Sequence, residues 1–86
     1  MLNKTTLIKA SGELETITPE NGDRFTLEEL QKYVGGYIEH IQLPHRELLV
    51  VNEEGLLLGL PFNAQASMIF GRPLVGDVVY GPAKLL

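Results

Sequence analysis

The sequence predicts an α+β fold: one compact domain over residues 1–86, with an antiparallel or mixed sheet of five to six short strands and two helices. Three observations lead there. A capped helical segment begins at Thr26, β-prone runs lie on both sides of it, and clusters of Gly, Pro, Asn and Asp separate those runs. The composition agrees: 44% of residues are hydrophobic and 21% charged, the profile of a folded chain and not of a disordered one.

Each element has its own signal. Thr5–Ala10 and Leu14–Thr18 are β-prone and meet at Ser11-Gly12, which reads as a hairpin. Pro19 to Asp23 is a loop by composition. Thr26 and Glu29 then form a capping box, each side chain reaching the other's backbone N–H. Phe25 staples onto Leu30, and Leu27, Leu30, Tyr33 and Val34 share a face at helical spacing. Gly35-Gly36 stops the helix. Tyr37–Leu43 alternates as a strand up to Pro44, with Tyr37, Glu39, Ile41 and Leu43 on one face. Leu48–Val51 reads as a central strand, Asn52–Gly55 as a turn, and Leu56-Leu57-Leu58 as the strand returning beside it. Asn63 caps a second short helix that Gly71 ends, and Gly76–Tyr80 closes the sheet.

Fifteen leucines in so short a chain are more than a one-sided sheet needs. Either helices cover both faces, or apolar surface meets another copy; Leu85 and Leu86 have no obvious core slot, so a homo-oligomer is expected.

Several function classes drop out on composition. Without cysteine there is no disulfide scaffold, thiolate metal site or Cys nucleophile. The formal charge of −4 repels phosphate backbones, which argues against a nucleic-acid polymer as partner. No apolar run reaches the ~18–20 residues that cross a bilayer, and Lys4, Thr5 and Thr6 interrupt any secretory core, so no membrane partner and a cytoplasmic location are expected. The Asn3-Lys4-Thr5 glycosylation match is then fortuitous.

Catalytic constellations are weak. Ser11 and Ser67 lack a nucleophile elbow, His40 and His45 with Glu39 and Glu47 do not make a metal spacing, and Glu28-Glu29 and Glu53-Glu54 read as a helix start and a solvated turn. Nor does the Gly71–Gly76 segment contain a phosphate-loop lysine. The expectation is therefore no enzyme, no catalytic residue, no metal and no cofactor. Arg24, Arg46 and Arg72 stand out in an acidic chain, either paired with local carboxylates or clamping an anion. Asn52–Gln65 combines turn residues, an aromatic and neutral amides that suit stacking on and reading a planar ligand. The alternative places Phe62 in the core, Asn63 at a helix cap and Gln65 in solvent. Tyr37, Arg46, Asn52, Phe62, Asn63, Gln65 and Arg72 are the candidate ligand-binding residues.

Leu27 to Glu39, Val51 to Ala66 and Val75 to Val79 resemble, in order and spacing, the motifs of a family of small uncharacterised domains from bacteriophages, plasmids and other bacterial mobile elements. The likeness spans roughly residues 26–80. It implies a bacterial host cell and leaves the activity open. Three readings follow. One is a counter-defence protein that sequesters a small nucleotide-derived immune signal without turnover, in a pocket at a subunit interface. Another is an interaction module that inhibits a host defence enzyme, with Glu13, Glu15, Glu53, Glu54 and Asp77 imitating a nucleic-acid backbone. The third is a small enzyme acting on a nucleotide.

Overall fold

The computed structural model describes residues 4–86, so Asn3 and its glycosylation match lie outside the described residues. Strands β1 (Thr5–Ile8) and β2 (Leu14–Ile17) form the first hairpin, with Thr5 opposite Ile17 and Ile8 opposite Leu14. Helix α1 (Leu27–Val34) follows, then strands β3 (Ile38–Leu43) and β4 (Glu47–Asn52) around a tight turn at Pro44–Arg46. Helix α2 (Ala64–Phe70) and strand β5 (Val78–Pro82) complete the fold. The sheet order is β2-β1-β5-β4-β3, and every neighbouring pair is antiparallel.

Alternation along the inner strands sends side chains to two cores. Leu7, Leu48, Val50 and Val79 point to one face and meet Ile17, Phe25, Leu30 and Val34. Ile8, Leu49, Val51 and Val78 point to the other and meet Ala66 and Leu74. The continuous apolar run Leu48–Val51 is thus a strand buried on both sides. Each large side chain so buried contributes roughly 1.5–3 kcal/mol against its exposed state. Aromatic pairs close both layers, Phe25 edge-on to Tyr33 at 6.2 Å and Phe70 tilted on Tyr80 at 5.2 Å.

The predicted helix ends are present. Glu29 donates its backbone N–H to Thr26 Oγ1 at 3.1 Å while Thr26 N–H donates to Glu29 Oε1 at 2.8 Å, and Gly35 takes the left-handed conformation at φ 82°. Two expectations fail, and one alternative for the arginines drops out. Leu56-Leu57-Leu58 is no strand: it lies in a turn-rich excursion, and β5 takes the place beside β4. Leu86 does have a core slot, because a tight turn at Ala83–Leu85 folds it under α1, and Leu85 C=O accepts from Phe25 N–H at 2.8 Å. Among the described residues the salt bridges are those of Lys9 with Glu13 (3.8 Å) and Glu15 (3.4 Å); none of the three arginines has a carboxylate partner.

Candidate functional site

The chain between β4 and α2 is not a loose loop. Local backbone bonds wind it: Gly55 N–H to Asn52 C=O, Leu58 N–H to Glu54 C=O, Gly59 N–H to Leu56 C=O and Leu60 N–H to Gly55 C=O, all at 2.9–3.2 Å. Gly55 sits so close to residue 75 that an added Cβ would come 2.7 Å from Val75 Cγ2. Pro61–Asn63 is laced to Leu74–Gly76 by Asn63 N–H to Leu74 C=O (2.8 Å) and Gly76 N–H to Pro61 C=O (2.7 Å). Ser67 Oγ bonds the backbone of Leu74 on both sides, accepting at 2.8 Å and donating at 3.2 Å. The segment Arg72–Val75 is therefore fixed against α2.

Between this layer and the β3–β4 end of the sheet lies a groove of about 560 Å³. Ile41, Val51, Leu74 and Val75 supply its apolar surface, Leu56 and Leu57 a lip, and Glu39, Glu53 and Glu54 face Arg72 as its charged groups. Three carboxylates against one guanidinium make its field negative. Leu56, Leu57 and Met68 are 84%, 87% and 83% exposed, and Leu58, Phe62 and Ile69 are also exposed. A smaller hollow of about 180 Å³ on the α1 side is lined by Thr18, Glu20, Glu29, Lys32 and Tyr33. There Glu29 is occupied by the backbone N–H groups of Thr26 and Glu20, which hold its carboxyl below the usual range.

The seven candidate residues do not converge. Asn52 and Arg72 line the groove. Asn52 is buried, its amide donating to Val34 C=O at 3.1 Å and accepting from Glu54 N–H at 2.8 Å. Gly36 leaves room for that amide, since a Cβ there would lie 3.0 Å from Nδ2. Asn63 is fully buried; it caps α2 by accepting from Ala66 N–H and donates both amide hydrogens, to Ile8 and Gly76 C=O, leaving nothing for a ligand. Tyr37 is exposed just ahead of β3, and Phe62 and Gln65 are exposed beside and on α2. Phe62 is thus not in the core. Arg46 is at the far end of the β3–β4 hairpin, roughly 17 Å of strand from Asn52.

The proposed acidic row is split as well. Glu13 and Glu15 lie by β2 at one sheet edge, Glu53 and Glu54 follow β4 near the other, and Asp77 accepts from Ala10 N–H at 2.9 Å. Glu39, Leu56 and Leu57 were not among the candidates. For the leucines the signal is a triplet between two glycines, with no polar alternation to make it a strand; for Glu39 it is a lone carboxylate on the face of Tyr37, Ile41 and Leu43.

A domain family of unknown function, DUF3846, matches residues 4–85. The chain belongs to this family. No curated protein and no solved structure matches it. Within this DUF3846 domain, no helix is long and apolar enough to cross a membrane, and no three His, Asp or Glu side chains gather to hold a metal, both among the described residues.

Proposed function

We propose that this DUF3846 domain is a protein-interaction module that acts by covering part of a partner protein's surface. One observation carries the reading: Leu56, Leu57, Leu58, Phe62, Met68 and Ile69 are all exposed within one stretch of chain. Taking roughly 200 Å² for a whole large side chain and the exposed fraction of each, they leave on the order of 800 Å² open, close to one partner's share of a standard interface. The acidic groove beside them adds charge selectivity. The resemblance to domains of phages and plasmids supports a host protein of a bacterial cytoplasm as the partner, with a defence enzyme as the one such an element gains by blocking.

The test is cross-linked co-purification from a bacterial host. Wild-type protein and the variant Leu14→Asp, altered on the β1–β2 hairpin, are expected to retain the same partner in stoichiometric amount. Leu57→Asp and Met68→Asp are expected to lose it at least tenfold. Absence of a stoichiometric partner, or its equal retention by all four proteins, rejects the reading.

The size of the groove favours a second reading, sequestration of a small nucleotide-derived signal, because about 560 Å³ with an arginine on its wall suits a small ligand. The three glutamates oppose a phosphorylated one. Native mass spectrometry separates the two: a few hundred daltons of released small molecule per chain supports sequestration, and bare protein excludes it.

A further inference from the structure

β3 is an edge strand, and its free side is prepared for another strand. The bond from Glu53 N–H to Tyr37 C=O at 2.8 Å sets the phase of the β3–β4 ladder. Antiparallel pairs alternate between bonded and non-bonded. On the observed register, Glu39 with Val51 and Ile41 with Leu49 are the bonded pairs. The N–H and C=O groups of Ile38, His40 and Gln42 therefore point away from β4, and none of them has a partner among the described residues. The intervening residues Glu39 and Ile41 send their side chains into the wall of the groove.

We propose that this edge and the groove together bind an extended peptide segment of a partner protein, added as a sixth strand, in which a Lys or Arg lies two residues from an apolar residue. The proposal rests on the reading of the domain as an interaction module and specifies its mode. In an added strand, a residue opposite Glu39 or Ile41 projects to the same face as they do, at roughly 4.5–5.5 Å between Cβ atoms. A cation opposite Glu39 then lies beside that carboxylate in the groove that also holds Glu53 and Glu54, and an apolar side chain opposite Ile41 extends the apolar wall of Ile41, Val51 and Leu74. Main-chain bonds to Ile38, His40 and Gln42 supply affinity without regard to sequence, and the alternate side chains supply choice. Charge complementarity selects this occupant: the lone Arg72 faces three carboxylates, so an acidic segment is repelled.

The probe is a capped peptide, Thr-Val-Thr-Lys-Thr, with a twin in which Glu replaces Lys, titrated into labelled full-length protein by NMR to about 1 mM. Saturable shifts and slowed hydrogen exchange are expected at the amides of Ile38, His40 and Gln42, with the Lys peptide binding at least fivefold tighter than its twin. Glu39→Lys is expected to reverse that preference. Gln42→Pro removes an outward N–H without taking a bond from the sheet, and is expected to abolish binding while the unfolding midpoint stays near wild type. Equal binding of the two peptides, no shift at all, or shifts confined to other amides overturns the proposal. So does protection of the same three amides in a doubled mass without peptide, which would put a second copy on the edge. Partner capture that depends on Leu57 but survives Glu39→Lys leaves the interaction reading standing and removes this one.

Discussion

Asn63 joins three parts of the chain with one amide: it caps α2, holds the C=O of Ile8 at the end of β1, and holds the C=O of Gly76 ahead of β5. Asn63→Ala leaves one buried donor and two buried acceptors without partners, so it is expected to cost about 2–4 kcal/mol, read from the shift in the urea midpoint. Asn63→Asp keeps the cap acceptor but turns two donated bonds into repulsion between a carboxylate and carbonyls, and is expected to cost more. That cost falls on the fold, so such a variant cannot report on a ligand. Glu29 shows the electrostatic counterpart. Backbone N–H groups of Thr26 and Glu20 stabilise its charged form and lower its folded pKa below the unfolded value. Stability from this carboxylate is present above the unfolded pKa and lost as pH falls through the lowered folded one. Thermal unfolding followed from about pH 6 to pH 2 is expected to fall less steeply for Glu29→Gln than for wild type.

At the scale of elements, the β3–β4 turn is where local geometry is least comfortable. His45 and Arg46 both take left-handed backbone, at φ 64° and 58°, which L-residues other than glycine adopt only at a cost. Arg46→Gly is expected to stabilise by about 0.5–1 kcal/mol in chemical denaturation, the relieved strain exceeding the added chain entropy. Glycine was not legible as a requirement there, because Pro44-His45-Arg46 carries no turn signature that fixes the conformation. Elsewhere local chemistry was decisive and legible: the box at Thr26 and Glu29, the caps at Gly35, Asn63 and Gly71, and the hairpin turn at Ser11-Gly12 all depend on neighbours within a few residues. The Leu56–Leu58 run misled because a short apolar run has the same appearance whether it pairs in a sheet or lines a turn. What decides it is long-range: Gly55 packs on Val75, Leu60 on Gly76, and β5 claims the edge of β4. The candidate residues lie scattered for the same reason. Asn52 and Asn63 look like free amides in the sequence, yet the carbonyls that consume them lie at residues 34, 8 and 76.

For the molecule as a whole, the excess of leucine is only partly absorbed by the core. The sheet is covered on both faces, and apolar surface is left over. Most of the surplus falls in the stretch Leu56–Ile69, with Leu14, Leu27 and Tyr37 exposed elsewhere, while the opposite layer buries Leu30, Val34 and Leu86. A surface that serves binding and not folding makes a definite prediction. The triple variant Leu56→Ser, Leu57→Ser, Met68→Ser removes three side chains that are more than four-fifths exposed and touch little of either core. Its unfolding free energy is expected to stay within about 0.5 kcal/mol of wild type per position, the ordinary range for surface changes. Its affinity for a hydrophobic dye, and any concentration-dependent mass in sedimentation, are expected to fall together. If the wild type sediments as a dimer that the triple variant abolishes, the same patch serves self-association, and a host partner must compete with it. If the wild type is a monomer at all concentrations, the patch is open in the free protein and available to a partner. A large loss of stability in the triple variant would instead show that these leucines close the second core, and the patch would lose its claim as an interaction surface.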